Sequence, residues 1–500
     1  MLFKQDILNE QQSSYRQIFK ATSLFGGVQV LNIIISVIRF KVIAVLLGPS
    51  GIGIAGLLIS TATFISSLTN FGLGTSSVKN VAAANESGNI AQVAAVVMVL
   101  RRLVWITGLL GMLLTLVLSS YLSQITFGDK SYTAAFAYIS VTVLFNQLTI
   151  GQNVLLQGLR KLRRLAKANV IGSIIGLIVS LPLYYFYKFD GIVPALIFTS
   201  IITAGVAWYF SKSVELKKIK IEKREAVLQG KEMLQMGFML SLSSLISVCA
   251  SYLVRIYISN VGGVEQVGLY NAGFTIIGTY VGLVFTAMST DYYPRLSSVA
   301  GDQLKAAMLI NQQAEVSTLI LSPIICIFLV FINWVIILLY SNKFIEVAGM
   351  IHWSALGMYF KAASWSIAFI LLAKGHSKTF LFNELFFNLY SLLFSILGFK
   401  LFGLNGLGIS FLLSYVLYFG QVYIIARTKY KFSFQRELYR IFLLQFFLGL
   451  LCFLIMRLLP LPWSYLIGSL VFVISIWFSF FEMDKRLELK SLLIKFKKRF

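Results

Sequence analysis

Long apolar segments recur along the whole of this 500-residue chain, and they constrain its fold more than any other feature. About twenty consecutive apolar residues cross a bilayer as a helix, and such a helix satisfies its own backbone hydrogen bonds there. Hydrophobic residues make up 58% of the chain and charged residues 12%, well below the charged fraction of an average soluble protein. The pattern predicts an all-α polytopic membrane protein with about fourteen transmembrane helices. The predicted spans are 21–47, 52–76, 92–120, 132–156, 168–187, 191–211, 235–259, 267–290, 315–340, 348–373, 380–399, 404–426, 441–459 and 463–481.

The net charge of +24 is explained by membrane topology rather than by a nucleic-acid partner. If the N-terminus is cytoplasmic, 34 of the 43 Lys and Arg residues fall in inside segments and only four in outer loops. Cytoplasmic loops carry this excess in membrane proteins, so both termini are predicted to be cytoplasmic, with the surplus charge facing anionic membrane lipids. The remaining five cations lie within or at the edge of helices: Arg39, Lys41, Arg255, Lys361 and Arg457.

The first third of the chain repeats faintly in its middle. Residues 39–56 (RFKVIAVLLGPSGIGIAG) and 255–273 (RIYISNVGGVEQVGLYNAG) each place an Arg on an apolar helix, before a Gly-rich turn and a second apolar helix. Arg39 and Arg255 are 216 residues apart, which leaves room for about six membrane helices with their loops. The repeat predicts a transporter with two six-helix lobes, related by a pseudo-twofold along the membrane normal.

The charged stretch between the sixth and seventh spans is the natural linker between two lobes. The predicted organisation is an N-lobe at 1–211, a cytoplasmic linker at 212–233 and a C-lobe at 234–430. Residues 431–500 would then form an additional transmembrane hairpin and a basic cytoplasmic tail, with no counterpart in either half.

Cations inside apolar helices are the first candidates for binding an anionic substrate. Arg39, Arg255 and Lys361 are predicted to face a cavity, where an Arg can clamp phosphate oxygens in a bidentate fork and a Lys supplies a point charge. Together they could neutralise a pyrophosphate. Lys41 is a weaker candidate, since it points about 200° away from Arg39 on a helix. The alternative for Arg39 and Lys41 is that both extend to the outer headgroups.

Polar and acidic residues at membrane depth form a second group of candidates. Asn32, Gln147 and Asn271 could contact sugar hydroxyls, although hydrogen bonding between helices explains each of them equally well. Glu384 and Asp291 are candidate sites for coupling to Na⁺ or H⁺; the alternative is an interfacial acid paired with a nearby Lys.

No catalytic constellation, P-loop or metal-ligand set is present in the sequence, so neither an enzyme nor a cofactor is predicted. The cysteines fall in predicted helices and are interpreted as small apolar fillers. They are Cys249, Cys326 and Cys452.

Several ordered motifs resemble the Wzx family of O-antigen and related lipid-linked oligosaccharide flippases, within the multidrug/oligosaccharidyl-lipid/polysaccharide exporter superfamily. They are GPSGIGIAG (48–56), FGLGTSSVKNVA (71–82), YYPRLSSVAGD (292–302), LLYSNKF (338–344) and LLAKGHSK (371–378). The resemblance covers about residues 15–430, and the ordered series is much more specific than the glycine turn alone.

The resemblance implies two six-helix lobes in a V shape around a cationic cavity, lined here by Arg39, Arg255 and Lys361. It implies transfer of an undecaprenyl-pyrophosphate-linked oligosaccharide from the cytoplasmic to the periplasmic leaflet of the bacterial inner membrane, by alternating access. Na⁺, H⁺ or the membrane potential would drive transfer, and the polysaccharide polymerase machinery would be a contact partner. The family usually ends after twelve helices, so it assigns no role to 431–500.

Two other functions stay open at this point. An ion-coupled multidrug exporter of the same superfamily would need acidic residues in its cavity, whereas this chain carries mostly cations there. A membrane polysaccharide polymerase or glycosyltransferase would need a large outer loop or an outer acid. The outer acids all lie on short loops: Asp129, Asp190, Glu265 and Glu346.

Overall fold

The structure is a computed structural model that describes residues 2–212 and 223–487. Residues 213–222 of the predicted linker and 488–500 of the predicted basic tail lie outside the described residues. Fourteen α-helices make up nearly all of the described chain. They are α1 (Leu2–Asn70), α2 (Leu73–Glu86), α3 (Ile90–Val117), α4 (Ser119–Phe127), α5 (Thr133–Gly158), α6 (Leu162–Tyr187), α7 (Ile192–Lys212), α8 (Lys223–Thr275), α9 (Leu283–Val299), α10 (Gln303–Leu339), α11 (Ala348–Ala373), α12 (Ser377–Tyr430), α13 (Arg436–Leu458) and α14 (Trp463–Leu487).

Ten helical stretches of the described chain are long and apolar enough to cross a membrane. Four of them are about twice the length that one crossing needs: Gly27–Asn70, Leu162–Lys212, Ser241–Ser289 and Ser377–Tyr430. Each of these is interrupted near its middle, so each provides two crossings. The total is fourteen, which confirms the predicted all-α polytopic fold and the multi-pass membrane protein.

The four interruptions share one backbone conformation. Gly48, Gly263 and Gly403 have φ of 67°, 82° and 57°, each with an extended ψ. The fourth is Lys188, with φ of 49° and ψ of −122°, at the start of a short 3₁₀ turn between α6 and α7. A positive φ with extended ψ is accessible essentially to glycine alone, so the chain changes direction here without a loop.

The positions of these turns define the internal repeat. Residues 48 and 263 differ by 215, and so do residues 188 and 403. A third pair has the same spacing: Arg160 and Gly375 both have positive φ at the end of a helix, α5 and α11 respectively. The same capping hydrogen bond follows each of them, from the Lys161 N–H to the Leu156 carbonyl and from the His376 N–H to the Leu371 carbonyl.

The 215-residue spacing of the turns shows that Arg39 and Arg255, which the sequence repeat matched, are offset by one residue. Arg39 lies nine positions before Gly48, whereas Arg255 lies eight positions before Gly263. One residue along an α-helix rotates a side chain by about 100°. The two arginines are therefore near each other in the repeat but do not occupy equivalent positions, because a shared residue type does not by itself define a shared helix register.

By internal contacts the chain forms two compact units, Met1–Val267 and Gly268–Phe500. The first unit includes the part of α8 that precedes Gly263, which is the seventh predicted span. The predicted division into lobes at the linker therefore lies earlier in the chain than the contact boundary. The lobe assignment itself stays a prediction.

In the second unit, α13 and α14 pack against α10. A small apolar cluster joins the three helices through Leu319, Ile441 and Phe478. At one end of α14 Arg486 donates to Glu315 of α10 at 2.7 Å, and it also bonds to Glu482. The final hairpin is therefore an integral part of this unit rather than a loose addition.

Candidate functional site

Lys361 lies on α11, inside the second unit, with its ammonium among aromatic rings. Its Nζ is 5.3 Å from the ring centre of Tyr415, 5.5 Å from that of Phe285 and 5.9 Å from that of Phe411. Ring faces attract a cation through their quadrupole and partly replace its lost hydration. Within the described residues the ammonium makes no hydrogen bond and no ion pair, so its three donors remain for a ligand.

Glu384, on the first half of α12, is held by a chain of polar side chains. The Tyr418 hydroxyl donates to its Oε1 at 2.7 Å, and the Asn383 amide donates to the same oxygen at 3.5 Å. Gln421 donates to the Asn383 side-chain oxygen at 2.8 Å, which turns the Asn383 NH₂ group toward Glu384. These contacts fix the orientation of the carboxylate.

Lys361 and Glu384 line the same cavity, which has a volume of about 220 Å³. Its walls are largely aromatic and include Trp365, Phe369 and Phe380. Two residues that the sequence assigned to different roles, one to substrate binding and one to ion coupling, are thus brought together. The cavity can offer a donor, an acceptor and flat apolar surfaces to one ligand.

Arg39 and Arg255 belong to the first unit, on α1 and α8 respectively, and both are half-buried. The Nε of Arg39 is buried without a hydrogen-bond partner among the described residues. Arg255 donates from Nη1 to the Ser251 carbonyl at 2.9 Å and also to the Ser251 hydroxyl. A buried guanidinium nitrogen without an acceptor is a group that an oxyanion would satisfy.

The other predicted polar residues are dispersed. Gln147 is almost fully buried and links three helices, since its amide donates to Thr107 of α3 at 2.9 Å and to Asn70 of α1 at 3.2 Å. This geometry favours the helix-linking interpretation. Asn32 and Lys41 are half-buried on α1.

Two predicted residues of the second unit are set apart from the cavity. Asn271 is half-buried on α8, after the turn at Gly263. Asp291 is exposed on α9 and forms an ion pair with Arg295 at 3.0 Å, whereas Glu384 is half-buried and lines the cavity. Their predicted roles in binding and coupling stay predictions.

Sequence reasoning missed the partners of Glu384 and the aromatic walls. Asn383 and Tyr418 donate to Glu384, and Gln421 donates to Asn383; these residues come from the two halves of α12. A usable signal was present, because Tyr418 and Gln421 are three residues apart and share one helix face. No group of three potential metal ligands lies together within the described ranges.

Comparison with known proteins places the chain in a family. Residues 42–349, more than half of the chain, match the polysaccharide biosynthesis protein family. The lipid III flippase of Escherichia coli (strain K12) is 22% identical over 391 residues, covering 76% of this chain and 91% of that protein.

Two solved structures share the fold. One is the inward-facing conformation of a multidrug resistance MATE family transporter of the MOP superfamily, with a TM-score of 0.64, 14% identity, and coverage of 81% of this chain and 94% of that one. The other is the lipid II flippase MurJ in an inward closed conformation, with a TM-score of 0.61, 13% identity, and coverage of 94% and 99%. The share of this chain that MurJ leaves uncovered is too small to contain all of 431–500, so that fold includes a counterpart of at least part of the final hairpin. The chain belongs to the polysaccharide biosynthesis protein family, and it has the fold of the MOP superfamily transporters.

Proposed function

We propose that this protein is a flippase for an undecaprenyl-pyrophosphate-linked oligosaccharide, such as an O-antigen repeat unit. It would carry the unit from the cytoplasmic to the periplasmic leaflet of the bacterial inner membrane by alternating access, with both termini in the cytoplasm. The family match, the lipid III flippase relative and the fold shared with a lipid II flippase support transport of a lipid-linked glycan. These relatives are transporters, so the protein is a transporter rather than an enzyme.

The observation that carries the proposal is the presence of half-buried cations within the apolar helices. Arg39 has a buried donor without an acceptor among the described residues, and Lys361 lacks an ion-pair partner there. Placing a charged side chain at the middle of a membrane helix costs about 2.5–3.5 kcal/mol on insertion scales, so charged residues there usually have a functional role. A pyrophosphate headgroup bound by Arg39 and Arg255 supplies that function, and Lys361 contributes to substrate binding in the second unit.

The outward direction agrees with the charge of the substrate. Moving an anion out of an inside-negative cell is favoured by about 2.3 kcal/mol per charge per 100 mV. Ion coupling through Glu384 or Asp291 is a further part of the proposal. Glu384 is the better placed, because it is half-buried and lines a cavity, whereas Asp291 is exposed.

Complementation of an O-antigen flippase-null strain tests the proposal. Surface polysaccharide and inner-leaflet lipid-linked units are measured for the wild type and for Arg39→Ala, Arg255→Ala and Lys361→Ala. The control is Lys400→Ala, which removes an exposed cation just before the turn at Gly403. We expect rescue by the wild type and the control, with loss in the three variants at equal membrane levels. Full rescue by all three variants would refute the cationic site.

A multidrug exporter is the second candidate, because the MATE transporter shares the fold and Glu384 supplies an acid in a cavity. Efflux of cationic dyes from cells expressing the protein distinguishes the two. Dye efflux that depends on Glu384, without rescue of surface polysaccharide, would favour the exporter.

A further inference from the structure

We propose that the cavity between α11 and the two halves of α12 is a subsite that holds one sugar ring of the transported glycan. The proposal rests on the proposed flippase function and names the part of the substrate that this cavity contacts. Lys361 and Glu384 are its polar groups, and Trp365, Phe369 and Phe380 form much of its apolar wall.

The chemistry of the cavity matches that of a sugar. A pyranose carries hydroxyl groups around its edge and an apolar C–H surface on its faces. Carboxylates accept hydrogen bonds, an ammonium donates them, and aromatic rings pack against apolar surfaces. The cavity presents all three around a single space, whereas a site for a lipid tail would need no charged groups.

The size of the cavity indicates one ring rather than an oligosaccharide. Its volume is about 220 Å³, below the roughly 300–1,000 Å³ of pockets that enclose a drug-sized ligand. The rest of the glycan would therefore lie outside it.

Glu384 makes the cavity a poor site for pyrophosphate. Its carboxylate would face the phosphate oxygens, and like charges in a confined site of low dielectric repel strongly. One oxygen of that carboxylate, Oε1, already accepts hydrogen bonds from Tyr418 and Asn383. The other, Oε2, accepts none from the described residues and remains available to a hydroxyl.

The hydrogen-bond chain behind Glu384 positions it for recognition. Gln421 orients Asn383, and Asn383 and Tyr418 together hold the carboxylate. A site that pre-orients its polar groups rejects a sugar lacking the matching hydroxyl, because those groups then stay buried and unpaired. Lys361 on the facing helix adds hydrogen-bond donors. The two charged residues together would therefore distinguish sugars by the positions of their hydroxyl groups.

Photocrosslinking in cells tests the subsite. Phe380, in the cavity wall, is replaced by p-benzoyl-phenylalanine in a strain whose O-antigen sugars are radiolabelled. The matched control places the same group at Phe386, an exposed phenylalanine on the same helix that does not line the cavity. We expect label on the Phe380 variant after illumination and background label on the control.

Substitutions at Glu384 then connect the adduct to the carboxylate. Glu384→Ala should reduce the labelled adduct about tenfold or more, since a hydrogen bond to a charged group is lost. Glu384→Gln should reduce it less, because the amide oxygen still accepts a hydroxyl. Membrane levels and elution from a sizing column show that each variant is folded.

Three results would overturn the subsite. The first is an absence of sugar label at Phe380 while export is intact, which leaves the flippase function standing. The second is an adduct that mass spectrometry identifies as a lipid chain alone. The third is sugar label on the Phe386 control as strong as that on the Phe380 variant, which would show that the label does not come from the cavity. A wild type that never exports glycan would instead remove the flippase function itself.

Discussion

Lys188 and Gly403 occupy equivalent turns of the internal repeat, 215 residues apart, but only position 403 has a glycine. The lysine has φ of 49° and ψ of −122°, a combination that crowds its Cβ against the neighbouring carbonyl. Such a residue costs about 1–3 kcal/mol, and the surrounding packing must compensate. The turns at Gly48 and Gly263 avoid this cost.

We therefore expect Lys188→Gly to stabilise the protein. Relief of strain exceeds the extra chain entropy of glycine, so the net gain in unfolding free energy should be about 1 kcal/mol. Thermal unfolding in detergent measures the change. The reciprocal Gly403→Lys should lower the melting temperature, and a lower melting temperature for Lys188→Gly would contradict the account.

Gly237 of α8 is pressed against the backbone at the break between α1 and α2. A Cβ at position 237 would overlap the carbonyl oxygen of Phe71 and crowd Gly72. Because backbone cannot give way as a flexible side chain does, Gly237→Ala should cost about 1–3 kcal/mol and lower the amount of folded protein. Fluorescence-detected size exclusion reports the loss. The control is Gly205→Ala on α7, where a Cβ meets nothing within 4 Å; equal behaviour of the two variants would count against this contact.

The ion cluster that joins α14 to α10 is largely buried. The side chains of Glu315 and Glu482 are 9% and 8% exposed, and that of Arg486 is 24% exposed. Arg486→Ala leaves the carboxylate of Glu315 without its cation and leaves Glu482 paired with Lys485 alone. We therefore expect a loss of about 3 kcal/mol in unfolding free energy, most of it from the buried, unpaired Glu315.

The matched control for this cluster is an exposed pair. Arg160 and Glu86 approach to 2.7 Å, yet their side chains are 72% and 63% exposed. Arg160→Ala should change stability by about 0–1 kcal/mol, since water screens the lost attraction. Similar losses for the two arginine variants would show that burial does not govern these pairs.

Gln147 offers a direct test between helix linkage and substrate contact. Gln147→Leu removes its hydrogen bonds to Thr107 and Asn70, so stability should fall by about 1 kcal/mol. Export per folded molecule should stay unchanged in the complementation assay. The adjacent, exposed Asn146 provides the control, Asn146→Leu, which should leave stability unchanged. Loss of export from stable Gln147→Leu protein would instead return this residue to the substrate site.

Asp302 caps the start of α10 and makes stability depend on pH. Hydrogen bonds from the backbone N–H and the side chain of Lys305 hold the pKa of Asp302 below its usual value. A lowered pKa means that the carboxylate stabilises the folded state above about pH 4 and that this contribution is lost as the pH falls further. Asp302→Asn keeps a capping oxygen, as Asn89 does for α3, and has no carboxyl to protonate. The melting temperature of the variant should therefore fall less between pH 7 and pH 3 than that of the wild type.

The fourteen crossings were predictable because helices that contact lipid need long, unbroken apolar segments, and such segments can be recognised directly in the sequence. The turns at Gly48 and Gly263 were visible as glycine-rich sequence for the same local reason. The placement of Lys361 and Glu384 around one cavity was not predictable, since the rotation of α11 against α12 depends on side-chain packing. The one-residue offset between Arg39 and Arg255 was hidden too, because helix register is defined by the turns and not by residue type.

The bond between Arg486 and Glu315 joins two residues that are synthesised at different times. Glu315 enters the membrane with α10, and its cation is synthesised 171 residues later. Throughout that interval the growing chain carries an acid with no protein counter-charge from α14. Glu315 therefore gains its cation only once α14 has been made, and a chain that stops before α14 lacks the Arg486 contact at this carboxylate.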